Sequence, residues 1–330
     1  MVKYLVNIKT DKINIIKDIF SMLEGVSSED INIIFRKDET KNKYSDTETN
    51  SDSDSDSSSS KNSSKKKIKQ NKGGIIIKSM SNNLTSLSLI KLELNLFTDF
   101  FVKKDEHSFW TNVKDLNLWL KSIDTENHML NIFIEKNDEK TIKFKSYHNE
   151  KENKFKSYEQ SFTEPDTEIS SIPKIEFDYA ISINAQLFKK ICNDMKKFSD
   201  YMEIKCEENQ VLFQCLTKAN KLNVASYESG DGDVESKKIN KNIKSAKSTF
   251  YLEYLLKLKY TSNICDNITL HIKNKSPLFI NNSIGDDENN YGKLLLYFSP
   301  YDNDLTNDDY HDKMKSFYKE KEKEKDKNKT

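Results

Sequence analysis

The chain has 330 residues, with 53 Lys and Arg balancing 53 Asp and Glu to a formal net charge of +0. That balance excludes a uniformly basic nucleic-acid coat and confines any basic surface to local patches. Seven Gly and four Pro exclude collagen-like or Pro-rich scaffolding, and no run of about 18 apolar residues is present to cross a bilayer as a helix.

Met1 to Thr10 lacks the basic start and long apolar centre of a secretory signal. Next, Ile16, Ile19, Phe20 and Leu23 recur at helical spacing and predict a first amphipathic helix. From about Lys37 to Lys72 an acidic Ser/Asp tract passes into a basic one with almost nothing apolar, the pattern of a disordered insertion. The insertion is open to acidophilic kinases, and its KKKIK is a candidate nuclear-import signal. Val113, Leu116, Leu120 and Ile123 predict a second helix, and Leu130, Ile132 and Ile134 a strand. Between Ser157 and Pro173 the chain turns polar and proline-punctuated, as an extended linker does.

Beyond the linker, Leu187, Ile191, Met195 and Phe198 predict a third helix and Leu252, Leu255 and Leu258 a fourth. Strands alternate with them at Met202 to Cys206, Val211 to Cys215, Ile268 to Ile272 and Leu294 to Phe298. The tail from Asp302 to Thr330 ends in KEKEKEKDKNKT, although Met314, Phe317 and Tyr318 leave room for a short apolar anchor. Asn131–Phe144 and Thr269–Asn282 share a strand, turn and strand after a helix at an offset of about 138 residues. Segments beginning at Gly73 and Asn209 match at about 136, so the chain reads as two copies of one helix-and-strand unit.

No phosphate-binding loop, dinucleotide fingerprint, zinc-protease or serine-hydrolase motif occurs. Cys192, Cys206, Cys215 and Cys265 lack CxxC spacing and adjacent histidines, which makes them buried thiols of a reducing compartment rather than zinc ligands or disulfides. His107, His128, His148, His271 and His311 are scattered and read as surface or strand residues. No cofactor, metal or membrane partner is expected.

GGIIIKSMSNNLTSLSLIKLEL (Gly73 to Leu94), FDYAISINAQLFKKICNDMKKFSD (Phe177 to Asp200) and KLLLYFSPYD (Lys293 to Asp302) resemble, in order and spacing, the proliferating cell nuclear antigen family of DNA sliding clamps. The resemblance implies an α+β fold of two similar clamp domains, with antiparallel sheets outside and four helices lining the pore of a ring. It places a first domain at 1–157, a connector at 158–174, a second domain at 175–301 and a charged tail at 302–330. The function it implies is that of a non-enzymatic processivity factor encircling duplex DNA, loaded by a separate ATPase, self-associating into a trimer and tethering DNA polymerase and other peptide-bearing partners. The site of action is then the nucleus, or a cytoplasmic replication site if the source is viral. A checkpoint-type or monomeric clamp-like subunit, and an enzyme with an unrecognised active site, are the alternatives.

Three sets of residues follow from the resemblance. Lys12, Lys17, Lys114, Lys121, Lys189, Lys190, Lys196, Lys197, Lys257 and Lys259 fall on the pore helices, where lysine gives exchangeable, sequence-blind phosphate contacts. Each helix alone also fits a merely solvated face. Met80, Leu84, Leu87, Ile172, Pro277, Tyr297, Ser299 and Pro300 fall at the partner-peptide pocket, with ordinary core packing as the other reading of Leu87 and Ile172. Phe155, Tyr158, Leu222 and Val224 fall on the subunit edges, or on solvent-protected terminal strands.

Overall fold

The computed structural model describes residues 3–27, 30–38, 73–81, 85–162, 175–216, 222–230, 232–286 and 288–301. Nearly all of the expected insertion, most of the connector and the tail lie outside these residues, as do Leu84 and Ile172 and the side chain of Leu222.

The first half runs β1 (Tyr4–Thr10), α1 (Ile13–Val26), β2 (Asp30–Arg36), β3 (Gly74–Met80), β4 (Ser86–Leu92), β5 (Asp99–Val102), β6 (Glu106–Asn112), α2 (Val113–Ser122), β7 (His128–Glu135), β8 (Asp138–His148) and β9 (Lys151–Ser161). The second runs β10 (Tyr179–Asn184), α3 (Ala185–Lys196), β11 (Tyr201–Glu207), β12 (Gln210–Leu216), β13 (Leu222–Glu228), β14 (Val234–Lys238), β15 (Ala246–Tyr251), α4 (Leu252–Leu256), β16 (Asn267–Ile272), β17 (Leu278–Gly285) and β18 (Asn290–Phe298). The element order is the same in both halves, and so is the pairing. β1 lies between β5 and β7 as β10 lies between β14 and β16, and β2 lies between β3 and β6 as β11 lies between β12 and β15. All of these ladders are antiparallel.

One further ladder joins the halves. β18 pairs antiparallel with β4, Leu294 opposite Ile90 and Tyr297 opposite Leu87, which fuses strands of both domains into a nine-stranded sheet in the order β14-β10-β16-β17-β18-β4-β3-β2-β6. Gly292 sits in this seam with φ 154°, where a Cβ would stand 2.0 Å from the Lys91 carbonyl oxygen. Any side chain there would push the strands apart. β9 and β13 end the remaining five- and four-stranded sheets.

Local chemistry repeats with the topology. Asn112 caps α2 by accepting from the Lys114 and Asp115 amides, and Asn184 caps α3 by accepting from those of Gln186 and Leu187, each cap contributing about 1 kcal/mol. The apolar faces close over one core, where Ile8, Ile13, Ile19, Leu116, Ile181, Phe188, Phe213 and Leu270 are fully buried. The four cysteines are free and buried, and burial pushes the thiols of Cys206 up to about 12 and Cys265 up to about 11.

β9 runs through Ser161, with Tyr158 and Gln160 paired with Phe144 and Ile142 of β8. The expected helices differ at two points. Phe198 is not on the buried stripe of the third helix. The helix ends at Lys196, and Phe198 lies past it, 45% exposed, while Phe188 and Cys192 fill the core instead. Leu258 lies beyond the short α4, in a 3-10 turn at Lys257–Asn263, still buried.

β2 and β3 pair directly, Arg36 opposite Gly74, and a Cβ on Gly73 would stand 2.7 Å from the Asp38 amide. Residues 39–72 therefore leave and re-enter the fold at one point. Replacing them by two glycines should keep the melting transition at or slightly above its original temperature, since each halving of a loop recovers about 0.6 kcal/mol of closure entropy. Loss of the cooperative transition in calorimetry would show that the insertion carries core.

Candidate functional site

The helices form one continuous layer. α1 packs on α2 and on the 3-10 turn after α4, and α3 packs on α4 and the same turn. Across the domain junction the Asn263 side-chain amide donates to Asp18 at 3.1 Å, and Gly25 lets α1 approach the stem of Lys257.

The ten lysines on this layer are not equivalent. Lys12, Lys121, Lys197 and Lys257 pair with Asp11, Glu24, Asp194 and Glu253 at 3.5, 3.0, 2.8 and 3.6 Å, and Lys196 pairs with Asp200. Lys17 donates to the Ile123 carbonyl at the end of α2, at 3.1 Å. Lys114, Lys189, Lys190 and Lys259 have no acidic partner among the described residues, although Lys259 lies 5.0 Å from the Tyr260 ring centre. Positive charge is thus in excess on α3 and thinnest on α1, which carries Glu24 exposed and Asp18 half-buried against Asn263. Burial, the largest influence on Glu24, pushes its pKa up, but hydrogen bonds from Lys121 and Asn117 and the Lys121 and Lys114 charges outweigh it and leave it lowered. Leu118, 70% exposed, occupies the open face of α2 between Lys114 and Lys121.

The opposite face of the nine-stranded sheet carries a second, smaller apolar cluster. Its backbone is a single cross-strand row: His271 of β16 stands opposite Phe279 of β17, Phe279 opposite Tyr297 of β18, Tyr297 opposite Leu87 of β4, and Leu87 opposite Met80 of β3. The Phe279 and Tyr297 rings stack at 4.5 Å, and Phe177 stacks on Phe279 at 5.5 Å and lies against His271 at 5.5 Å. Leu87, Phe177 and Tyr297 are buried in this cluster, apart from the main core, while Met80 and Phe279 stay partly open. Ser299 is buried beside it, its amide bonded to the Thr85 carbonyl at 2.9 Å, and Pro277 and Pro300 remain half-exposed.

The structure thus brings Met80, Leu87 and Tyr297 together, with Ser299 beside them. Phe177, His271 and Phe279 were missed by motif reading. His271 and Phe279 enter the row through the cross-strand registers of β16 to β18, and Phe177, two residues before β10, through its contacts with both rings.

At the sheet ends, Phe155 of β9 is 54% exposed with the Lys145 ammonium 4.1 Å from its ring centre, and Val224 of β13 is 41% exposed. Tyr158 turns inward instead, stacking on Trp119 at 5.8 Å. Leu222 is placed by its backbone at the start of β13. Of the remaining histidines, His128 and His148 stand opposite each other across β7 and β8, with ring centres 5.3 Å apart.

A duplicated domain with helices layered on one side of antiparallel sheets is the architecture of the DNA clamps. The description of the matching family model is proliferating cell nuclear antigen, C-terminal domain, over residues 171–298. A probable DNA polymerase sliding clamp of Acanthamoeba polyphaga mimivirus is 23% identical over 300 residues, covering 91% of this chain and 62% of that one. This chain therefore spans less than two thirds of that relative's length. Probable DNA polymerase sliding clamp 1 of Paramecium bursaria Chlorella virus 1 is 26% identical over 234 residues, 69% of this chain and 84% of that one. The crystal structure of proliferating cellular nuclear antigen from Entamoeba histolytica superposes with a TM-score of 0.68 at 16% identity, covering 91% of this chain and 100% of that one. Residues 171–298 thus belong to the proliferating cell nuclear antigen C-terminal domain family, and over its length the chain is similar to viral sliding clamps.

Burial among the aromatic rings holds the His271 pKa below its ordinary value. An NMR titration should give it a midpoint below about 6.5, the unperturbed value. The stability linked to the neutral ring is then present above that value and lost as pH falls toward the folded-state pKa. His271→Phe should remove that part of the pH dependence; a midpoint at or above 6.5 would place the ring in water.

Proposed function

We propose that this chain is a processivity clamp: copies of it close into a ring around duplex DNA and hold polymerase and other partners through the aromatic row. The observation that carries the reading is the β18–β4 seam. β9 holds in the first domain the place that β18 holds in the second, and β13 holds the place of β4, yet β9 and β13 are end strands. An end strand exposes a row of unpaired amides and carbonyls, and β9 of one copy on β13 of the next repeats the intrachain seam. Carrying its register over, with strands matched by their buried residues, sets Ser157 opposite Val224 and Phe155 opposite Ser226 of the next subunit. Repetition of one heterologous contact gives a ring if the rotation closes, and the family resemblance favours three subunits. Opening such a ring requires a loader, for which an ATPase is the expected partner. The work is done at the site of replication, nuclear or, as the viral relatives suggest, cytoplasmic, and by holding rather than by chemistry.

Light scattering should give a mass above that of one chain, and Val224→Glu, which places a charge in the proposed seam, should return the monomer with its melting transition intact. A wild-type monomer at all concentrations would overturn the ring.

The unpaired lysines give a second test. Replacing Lys114, Lys189 and Lys190 by Ala should lower processivity at rising salt and flatten the slope of log affinity against log salt by roughly 0.9 for each phosphate no longer neutralised, alike for every duplex sequence. Lys121→Ala, which leaves Glu24 its hydrogen bond from Asn117, should change stability little, as loss of exposed pairs does. An unchanged slope in the triple variant would remove DNA from this face.

A further inference from the structure

Within the charged tail, Met314, Phe317 and Tyr318 stand at i, i+3 and i+4 in KMKSFYK, the spacing that gathers side chains on one face of a helical turn. Charge and solvation account for the lysines around them but not for two adjacent aromatics and a methionine. The row on the nine-stranded sheet offers matching chemistry: stacked rings from Phe177 to Tyr297, then Leu87 and the adaptable thioether of Met80.

We propose that Met314, Phe317 and Tyr318 dock into the aromatic row of their own chain, so that the tail competes with partner peptides for that groove. The proposal rests on the reading of the row as a peptide site and adds its regulation.

Reach and origin both favour the chain's own tail. The tail starts at the groove: Ser299 and Pro300 directly follow the β18 strand that carries Tyr297. Its starting point is fixed, because the Tyr301 amide donates to the Thr249 carbonyl at 2.7 Å and its ring stacks on Tyr201 at 4.1 Å. About twelve residues separate Tyr301 from Met314, and a flexible chain of that length spans roughly 20 Å. Five strands spaced about 4.8 Å apart make a row of about 19 Å from first to last, so the anchors reach any part of it. Tethering at this length gives an effective concentration on the order of 1 mM. A segment with an intrinsic dissociation constant of roughly 0.1 mM would therefore close the groove about tenfold against weak ligands and yield to stronger ones.

The test uses the full chain and a fluorescein-labelled synthetic peptide of its own residues 309–320, followed by anisotropy. The combined variant Met314→Ala, Phe317→Ala, Tyr318→Ala, which alters no described residue, should bind the peptide about tenfold more tightly than the wild type. Adding Phe279→Ala to that variant should abolish the gain. Equal affinity of wild type and tail variant overturns the proposal, as does unchanged binding after Phe279→Ala, or no binding by either protein. Polymerase processivity, measured on the same preparations, separates the two readings. If peptide binding fails while stimulation persists, only the tail proposal falls; if stimulation is absent too, the clamp reading falls with it.

Discussion

A β-strand at the end of a sheet leaves half of its backbone hydrogen-bonding groups unmet, and this constraint organises the molecule. Within the chain it is resolved once, where β18 and β4 meet and Gly292 allows the backbones to close. That seam makes strands of both domains one sheet and brings Tyr297 beside Leu87. Duplication then guarantees an equivalent pair of edges at the far ends. Among the described residues β9 and β13 terminate different sheets and do not pair with each other.

The duplication was legible in the sequence because burial fixes strand register: a one-residue slip would turn every apolar side chain to the wrong face. Ile132 and Leu270, or Ile77 and Phe213, keep their places for that reason. Helix ends were less legible. Phe198 continues the helical spacing of Met195, but spacing carries no information about where backbone hydrogen bonds stop, and α3 ends at Lys196. The aromatic row was half legible. Tyr297, Leu87 and Met80 came from family resemblance, whereas Phe279 and His271 join them only through cross-strand registers, which no local pattern encodes.

The lysine-bearing layer shows the opposite limit. Composition and periodicity put lysines off the apolar stripes, and the structure keeps them there, yet half of the ten are engaged by nearby carboxylates. A lysine that must leave Glu24 or Asp194 to meet a phosphate gains less than an unpaired one, since one ion pair is exchanged for another. Lys114, Lys189, Lys190 and Lys259, without an acidic partner among the described residues, would therefore give more to an anion than the five paired ones. Such uneven, exchangeable contacts suit a surface that moves along a polyanion rather than one that locks to it.

Among the described residues, the aromatic row on β16 to β18 has an ionic counterpart on β7 to β9. The first-domain counterpart of the row His271, Phe279, Tyr297 is Phe133, Lys143, Glu159, in the same cross-strand order on β7, β8 and β9. Lys143 there bonds Glu135 at 3.0 Å and lies 3.9 Å from Glu159, and hydrogen bonding to Glu135, the largest influence, holds its pKa above the usual value. An ion pair in place of a ring stack cannot seat aromatic anchors without desolvating both charges, which costs more than the apolar contact returns. The two copies of one fold have thus diverged where their faces are equivalent. The row that crosses the intrachain seam is apolar and held by both domains, and its counterpart at the β9 edge is ionic.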